Sequence, residues 1–244
     1  MKIASNNTRL SNKLHYDKIW KNYRISSPEM WPQWQIISRY KDGVLLEIGP
    51  GTRPRIPIKN NHFLDISKTA VMKLKALGGY ALQNNLKERL PYKNSMFDLV
   101  AAFELFEHLP NDRFIIREIS RVLKKNGILF FSIPLKMDDW SAYDKAVGHF
   151  RRYEISNLNR LFANTGLHIK SYAKMNIIWP KGITGDFISF LLLKFPFFVS
   201  KMGEFFDLLP FSAVRRPLVF KKWGEQAKND FSDANSGVFI ASKN

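Results

Sequence analysis

The residues able to do chemistry gather at the ends of short apolar runs. VLLEI leads into Glu47-Ile48-Gly49-Pro50-Gly51-Thr52, and HFLDI carries Asp65, 18 residues after Glu47. YALQ leads into Asn84 and Asn85, and FDLVAAFELFEHLP supplies Phe103, Glu104 and His108. A glycine turn lets another molecule approach the backbone. An acidic side chain at a strand end can accept both hydroxyls of a ribose, and an asparagine can donate to and accept from an adenine edge. This is the chemistry of a nucleoside site. Each element alone also serves an ordinary turn, helix cap or loop; their consecutive order on four strand ends is what carries the reading.

The glycine pair does not extend to a dinucleotide fingerprint. That motif needs a third glycine where helix and strand pack and the helix N-terminus meets pyrophosphate. Pro54 stands there, with Pro57 close behind, and prolines so placed interrupt a regular helix. A nucleoside without pyrophosphate is favoured over NAD or FAD.

The elements that must position these groups follow from periodicity. Residues 44–48, 62–66, 80–83, 97–103 and 127–134 are short, continuous apolar runs bounded by Gly, Pro or Asn, the pattern of buried parallel strands. Between the last two, Phe114, Ile115, Ile119, Val122 and Leu123 form a helical stripe, with Asn111 or Asp112 as its cap and Lys124, Lys125 and Gly127 marking its end. A second helix is expected from Glu154 with Gly166 closing it, and strands at 167–175 and 236–243. Alternating strands and helices imply a parallel sheet covered on both faces. Near the N-terminus, Tyr16, Ile19, Trp20 and Tyr23 share one helical face, read as packing rather than a ligand box.

Composition bounds the alternatives. With 244 residues, 45% of them apolar, the chain can fill one large α/β core. No cysteine is present, so thiolate nucleophiles, disulfides and Cys-ligated zinc are excluded, and a reducing compartment is the default. The N-terminus lacks the apolar run of a secretory signal, which points to the cytoplasm. The formal charge of +17 is spread along the chain without a basic arm or a nucleic-acid-binding signature, so nucleic acid is disfavoured as a partner.

The stretches VLLEIGPGT, FLDIS, NNLKERLPYKNSMFDLVAAFELFEHL, IIREISRVLKKNGILFFSIP and GHFRRYEISNLNRLFANTGLHI resemble successive motifs of the class I S-adenosylmethionine-dependent methyltransferases, of the type 11 kind. The resemblance spans about residues 43–175 plus the last strand. It implies a Rossmann-like seven-stranded, mostly parallel sheet with helices on both faces and an antiparallel last strand. It also implies S-adenosylmethionine held by Glu47, the loop at Gly49 and Gly51, Asp65 and Ile66 at the ribose, Asn85 and Leu86 at the adenine, and Phe103 and Glu104 at the fourth strand. The first crossover is shortened at Pro54 and Pro57, and Asn85 replaces the aspartate found in many members.

A sulfonium donor needs an acceptor aligned in line and water excluded, so neither a metal nor a covalent nucleophile is expected. Transfer to oxygen or carbon gains from a general base, for which histidine is suited. His15, His62 and His168 lie away from the motif positions, leaving His149 and His108, each readable as base or as structural. Arg151 and Arg152, followed by Tyr153, could contact an acidic group on the acceptor or form a solvated basic surface.

Three segments are expected: a helical N-terminal part over 1–42, the cofactor-binding domain over 43–175 and 236–244, and a hydrophobic helical insertion over 176–235. The insertion holds 10 of the 20 phenylalanines. Its 13-residue run from Phe187 to Val199, broken by Lys194 and Pro196, falls short of the ~20 residues a membrane span needs. Four basic residues downstream beside Phe220 and Trp223 suit an anionic membrane surface. Lid, membrane contact over 187–223 and homo-oligomer interface all remain open. The leading function is methyl transfer from S-adenosylmethionine to a small or lipid-linked acceptor, with O- or C-methylation favoured. RNA methylation and a non-catalytic binding module are the alternatives.

Overall fold

The computed structural model describes residues 16–175 and 217–244, together with Asp186, Phe187, Phe190, Lys194, Phe195, Phe197 and Lys201. Its frame is one sheet of β1 (Leu45–Ile48), β2 (His62–Asp65), β3 (Tyr80–Gln83), β4 (Phe97–Phe103), β5 (Leu123–Pro134), β6 (Leu167–Met175), β7 (Lys221–Lys222) and β8 (Ser236–Lys243). The spatial order is β3-β2-β1-β4-β5-β8-β6-β7. The first five strands pair in parallel, and β8 inserts antiparallel between β5 and β6. The order reverses at β1 and β4, so the carboxyl ends of these two strands border the crevice where ligands bind in open α/β sheets.

The helices are α1 (16–22), α2 (Trp34–Ile37), α3 (Lys68–Ala76), α4 (Asp112–Val122), α5 (Ala142–Ala146), α6 (Ile155–Phe162) and α7 (Gln226–Asp230). Each face of the sheet has its own core. Ile115, Ile116, Ile119 and Val122 of α4 and Leu158 and Phe162 of α6 pack with Leu129, Phe131 and Phe239 on one side. Ile36, Ile37, Val71 and Leu74 pack with Phe63, Leu99 and Phe130 on the other. Caps fix the helix starts: Asn111 Oδ1 accepts from the Phe114 amide, and Ser67 Oγ from the Ala70 amide, each at 3.2 Å.

Two features differ from the expectation. The helix expected to run to Lys124, Lys125 and Gly127 ends at Val122, because Leu123 is already extended, fully buried and paired with Phe97. Burial of Leu123 in the sheet outweighs its helical spacing. The sheet also has an eighth strand, since Lys221 and Lys222 pair with Tyr172 and Ser171. Both lysines are exposed, and a short, lysine-bearing edge strand discourages further pairing.

Between β1 and β2 no helix forms, as the two prolines require. Of the 176–235 insertion, the described part from 217 holds β7 and α7, and Phe187, Phe190, Phe195 and Phe197 are exposed. The lid, membrane-contact and interface readings rest mainly on residues outside those described. No helix among the described residues is long and apolar enough to cross a membrane.

Candidate functional site

The loop after β1 is built around two carboxylates. Gly49 and Gly51 have φ of +74° and +56°, where a side chain is strained. An added Cβ at Gly51 would lie 2.5 Å from the Trp20 ring, so α1 presses directly on the loop. Glu47 Oε2 accepts the amides of Arg55 and Ile56 at 2.8 and 3.2 Å, satisfying backbone groups that a helical crossover would have paired. Burial pushes Glu47 up to about 7, against the opposing pull of Arg55 and the two amides. Asp65 Oδ2 accepts from the Gly51 amide and Oδ1 from the Ser67 amide, both at 2.8 Å. Each oxygen keeps a lone pair, so the carboxylate can still receive two hydroxyls. Burial raises Asp65 to about 6, partly offset by those amides.

The expected adenine and strand-end residues border the same rim. Asn85 is exposed, with Oδ1 accepting from the Lys87 amide at 3.1 Å, and Leu86 is left-handed at φ 56°. Ile66 lends its carbonyl to Gln83 Nε2 at 2.9 Å. Phe103 stands edge-on to Phe130, with ring centres 5.1 Å apart. Glu104 follows at φ 48°, a left-handed conformation that is uncommon for glutamate and that clusters at functional sites. Its Oε1 accepts from Ser132 Oγ at 2.7 Å, while its buried Oε2 has no partner.

Beyond Glu104, a short 3-10 turn carries Glu107 and His108 toward the loop that holds His149. Glu107 is fully buried, and neither carboxylate oxygen has a hydrogen-bond partner. Burial, then the Glu104 charge, raises it well above the carboxylate range. His108 and His149 meet edge to face, with ring centres 4.6 Å apart. Burial and the neighbouring imidazole push His108 down to about 3, so it is neutral. His149 Nδ1 lies 2.8 Å from Asp144 Oδ1, and its Nε2 lies 3.8 Å from Glu107 Oε1. Asp144 is gripped by Arg152 at 2.9 and 3.0 Å and by the Ser141 amide at 2.8 Å. Burial opposes ionisation of Asp144, but the bonds from His149 and Arg152 together hold it well below the carboxylate range. The Asp144 contact at Nδ1 sets the ring so that Nε2 is turned toward Glu107.

The structure thus brings Glu104, His108 and His149 together. It uses Arg151, Arg152 and Tyr153 otherwise than the sequence reading expected. Arg151 Nη1 and Tyr153 Oη both bond Asp112 Oδ2, at 2.6 and 2.8 Å, and Arg152 is committed to Asp144. These side chains pin the α5–α6 connection and orient His149 through Asp144. Among the other histidines, His62 sits among Tyr80, Tyr92 and Phe97 at the opposite strand end, His168 lies at the start of β6, and His15 lies outside the described residues.

Sequence reasoning missed Glu107, Asp144 and the role of α1. Glu107 could have been found from its spacing three residues after Glu104 and directly before His108. Asp144 had a weaker signal, its place three residues after Ser141 in a capping box. The α1 face was assigned to packing, and it does pack, but over the rim. Tyr16 meets His108 edge-on at 6.1 Å and stacks on Trp20, and Lys73 Nζ ties the backbone of Trp20, Lys21 and Tyr23 to α3.

Comparison with known proteins points the same way. A family model described as a methyltransferase domain matches residues 46–131. An uncharacterized protein of Methanocaldococcus jannaschii is 34% identical over 145 residues, covering 56% of this chain and 55% of that one. A protein of Mycobacterium tuberculosis named probable S-adenosylmethionine-dependent methyltransferase is 32% identical over 75 residues, covering 31% and 27%. The matched stretches therefore cover little more than half, or less, of these relatives' own length. An S-adenosylmethionine-dependent methyltransferase structure from Mesorhizobium loti superposes with a TM-score of 0.54 at 10% identity, covering 88% of this chain and 100% of that chain. At that identity the likeness is one of fold.

Proposed function

Because this chain belongs to the class I S-adenosylmethionine-dependent methyltransferases, we propose that it transfers a methyl group to a small or lipid-like acceptor, at oxygen or carbon. The residues present fit the methyl donor. The loop at Gly49 and Gly51 gives close backbone approach, Asp65 has two lone pairs left for ribose hydroxyls, and Asn85 with Leu86 borders the adenine position. Bound there, S-adenosylmethionine supplies a methyl group on a sulfonium, which needs no activation by the protein.

The chain's own residues do the rest. Glu47 holds the loop in shape by pairing its amides, and α1 excludes water from above the rim. As an oxygen acceptor takes the methyl group, its proton passes into the buried carboxylate–imidazole cluster of Glu107, His108 and His149. The observation that carries this reading is the juxtaposition at strand ends on either side of β1: Asp65 closing β2, with lone pairs to spare, and the Glu104–Glu107–His108–His149 cluster beyond β4. Calorimetric titration with S-adenosylmethionine and S-adenosylhomocysteine tests it. Saturable binding that is lost in Asp65→Ala supports the reading, and no binding by the folded wild type refutes it.

A further inference from the structure

The cluster beyond β4 has an imbalance that the methyl-transfer reading does not use. One oxygen or nitrogen from each of Glu107, His108 and His149 lies within 4.8 Å of the others. Glu107 is 0% exposed and the His149 side chain 5%. Glu104 Oε2, both oxygens of Glu107 and His108 Nδ1 are buried without a hydrogen-bond partner. Buried polar atoms are ordinarily paired, and several orphans at one point indicate a missing ion or water. A shared proton would leave a short hydrogen bond between two of these atoms, and none is present among them. The two arginines that follow His149 are already spent, Arg151 on Asp112 and Arg152 on Asp144.

We infer that Glu107, His108 and His149, with Glu104 beside them, form a binding site for one divalent first-row transition-metal ion. Ligand atoms around a common ion at ~2.0–2.2 Å are at most about 4.4 Å apart, so the observed spread closes with side-chain shifts of a few tenths of an ångström. Two imidazoles with carboxylates suit Zn²⁺, Mn²⁺, Fe²⁺ or Co²⁺ better than Ca²⁺ or Mg²⁺, which prefer oxygen throughout. The surroundings are those of a metal site. His149 gives its other ring nitrogen to Asp144, which Arg152 and Ser141 hold, the carboxylate–histidine arrangement that orients metal ligands. His108 Nδ1 is buried without a hydrogen-bond partner, and its ring packs edge to face on that of His149. Charge also favours a cation, since the Glu104 and Glu107 carboxylates are buried side by side and neither makes a hydrogen bond to Arg or Lys.

Cation binding does not depend on the proposed methyl transfer. Its consequence does: an acceptor oxygen bound to such an ion is acidified, so His108 and His149 would serve as ligands rather than as bases.

The test uses the full chain, stripped with a chelator and dialysed. Co²⁺ is titrated while visible d–d absorption is recorded, and Mn²⁺ binding is followed by electron paramagnetic resonance. One equivalent with a dissociation constant in the micromolar range or tighter is expected. Glu107→Gln and His149→Ala should each weaken it at least 100-fold, and Asp144→Asn, a positioning change, about 10- to 100-fold. Circular dichroism establishes that each variant is folded. The inference is overturned if folded wild type shows no saturable Co²⁺ or Mn²⁺ binding, or if Glu107→Gln and His149→Ala bind as wild type does. Parallel titration with S-adenosylhomocysteine separates the two proposals: nucleoside binding without metal binding sinks only the ion site, and the converse sinks only the methyl-donor site.

Discussion

Replacing Asp65 with asparagine tests the cofactor site at the atom that defines it. The carboxylate accepts the Gly51 amide on one oxygen and the Ser67 amide on the other. Asparagine keeps one acceptor and turns an NH₂ toward the other amide, leaving a buried donor unpaired at a cost of about 1–3 kcal/mol in stability. Binding loses more specifically. Hydroxyl bonds to a charged acceptor contribute about 1.5–3 kcal/mol each, and a neutral amide with one acceptor cannot keep both. A loss of about 2–3 kcal/mol corresponds to a ~30- to 150-fold rise in Kd, since 1.4 kcal/mol is tenfold.

The pH dependence adds a second signature. Asp65 is raised to about 6 by burial, with Asp17 of α1 adding to the rise. Wild-type affinity should therefore be level above neutrality and weaken as pH falls through about 6, because the protonated acid loses acceptor capacity. Asp65→Asn should lack the Asp65-linked fall in this range. Calorimetry with S-adenosylhomocysteine between pH 5 and 8, with thermal melts to establish folding, reads both effects. A folded variant that binds within threefold of wild type, with the same pH profile, would refute the assignment of Asp65 to the ribose.

Other perturbations follow from the same geometry. Gly51→Ala must place a methyl group 2.5 Å from Trp20 at φ +56°, costing about 1–2 kcal/mol for the backbone and about 1–3 kcal/mol for the overlap; chemical denaturation of Gly51→Ala with and without Trp20→Ala should show only the second part recovered. Arg152→Ala strands the buried Asp144 carboxylate, and removing one partner of such a pair costs about 3–5 kcal/mol, readable as a lower urea midpoint; a shift under 1 kcal/mol would contradict the pairing. His149→Ala should lower methyl-transfer turnover while leaving S-adenosylhomocysteine affinity within a few-fold, and unchanged turnover removes His149 from the mechanism. Glu118, raised by burial but lowered further by its bonds to Arg121 and the Leu90 amide, has a folded pKa below its ordinary value. Its contribution to stability is thus present above the ordinary carboxylate pKa and lost as pH falls through the folded one. The gap in melting temperature between wild type and Glu118→Gln should close in acid.

Most of the sheet was legible in the sequence because parallel strands buried on both faces must be continuous apolar runs, as VLLEI and FDLVAAF are. The glycine loop and Asp65 were legible for a related reason, since their spacing is set by a strand, a turn and the next strand. Boundaries were less so: Leu123 satisfies a helical stripe and a strand equally, and only its pairing with Phe97 decides. The cluster beyond β4 was half legible. Glu104 and His108 stood out by type, whereas Glu107 was passed over because its importance lies in having no partner, a property of packing. The ion pairs of Arg151 and Arg152 were hidden in the same way. Asp112 and Asp144 lie 39 and 8 residues from their arginines, too variable a separation for spacing to reveal.

The helix over residues 16–22 lies outside the 46–131 stretch matched by the family model, yet it roofs the crevice. The sheet core does not pass through it. Substitutions at Tyr16 or Trp20 therefore act on the entrance, where these rings meet His108 and Gly51, while the sheet keeps its geometry. In evolutionary terms, the cover of the crevice is separable from the sheet that forms its floor, and a lineage can change one at little risk to the other.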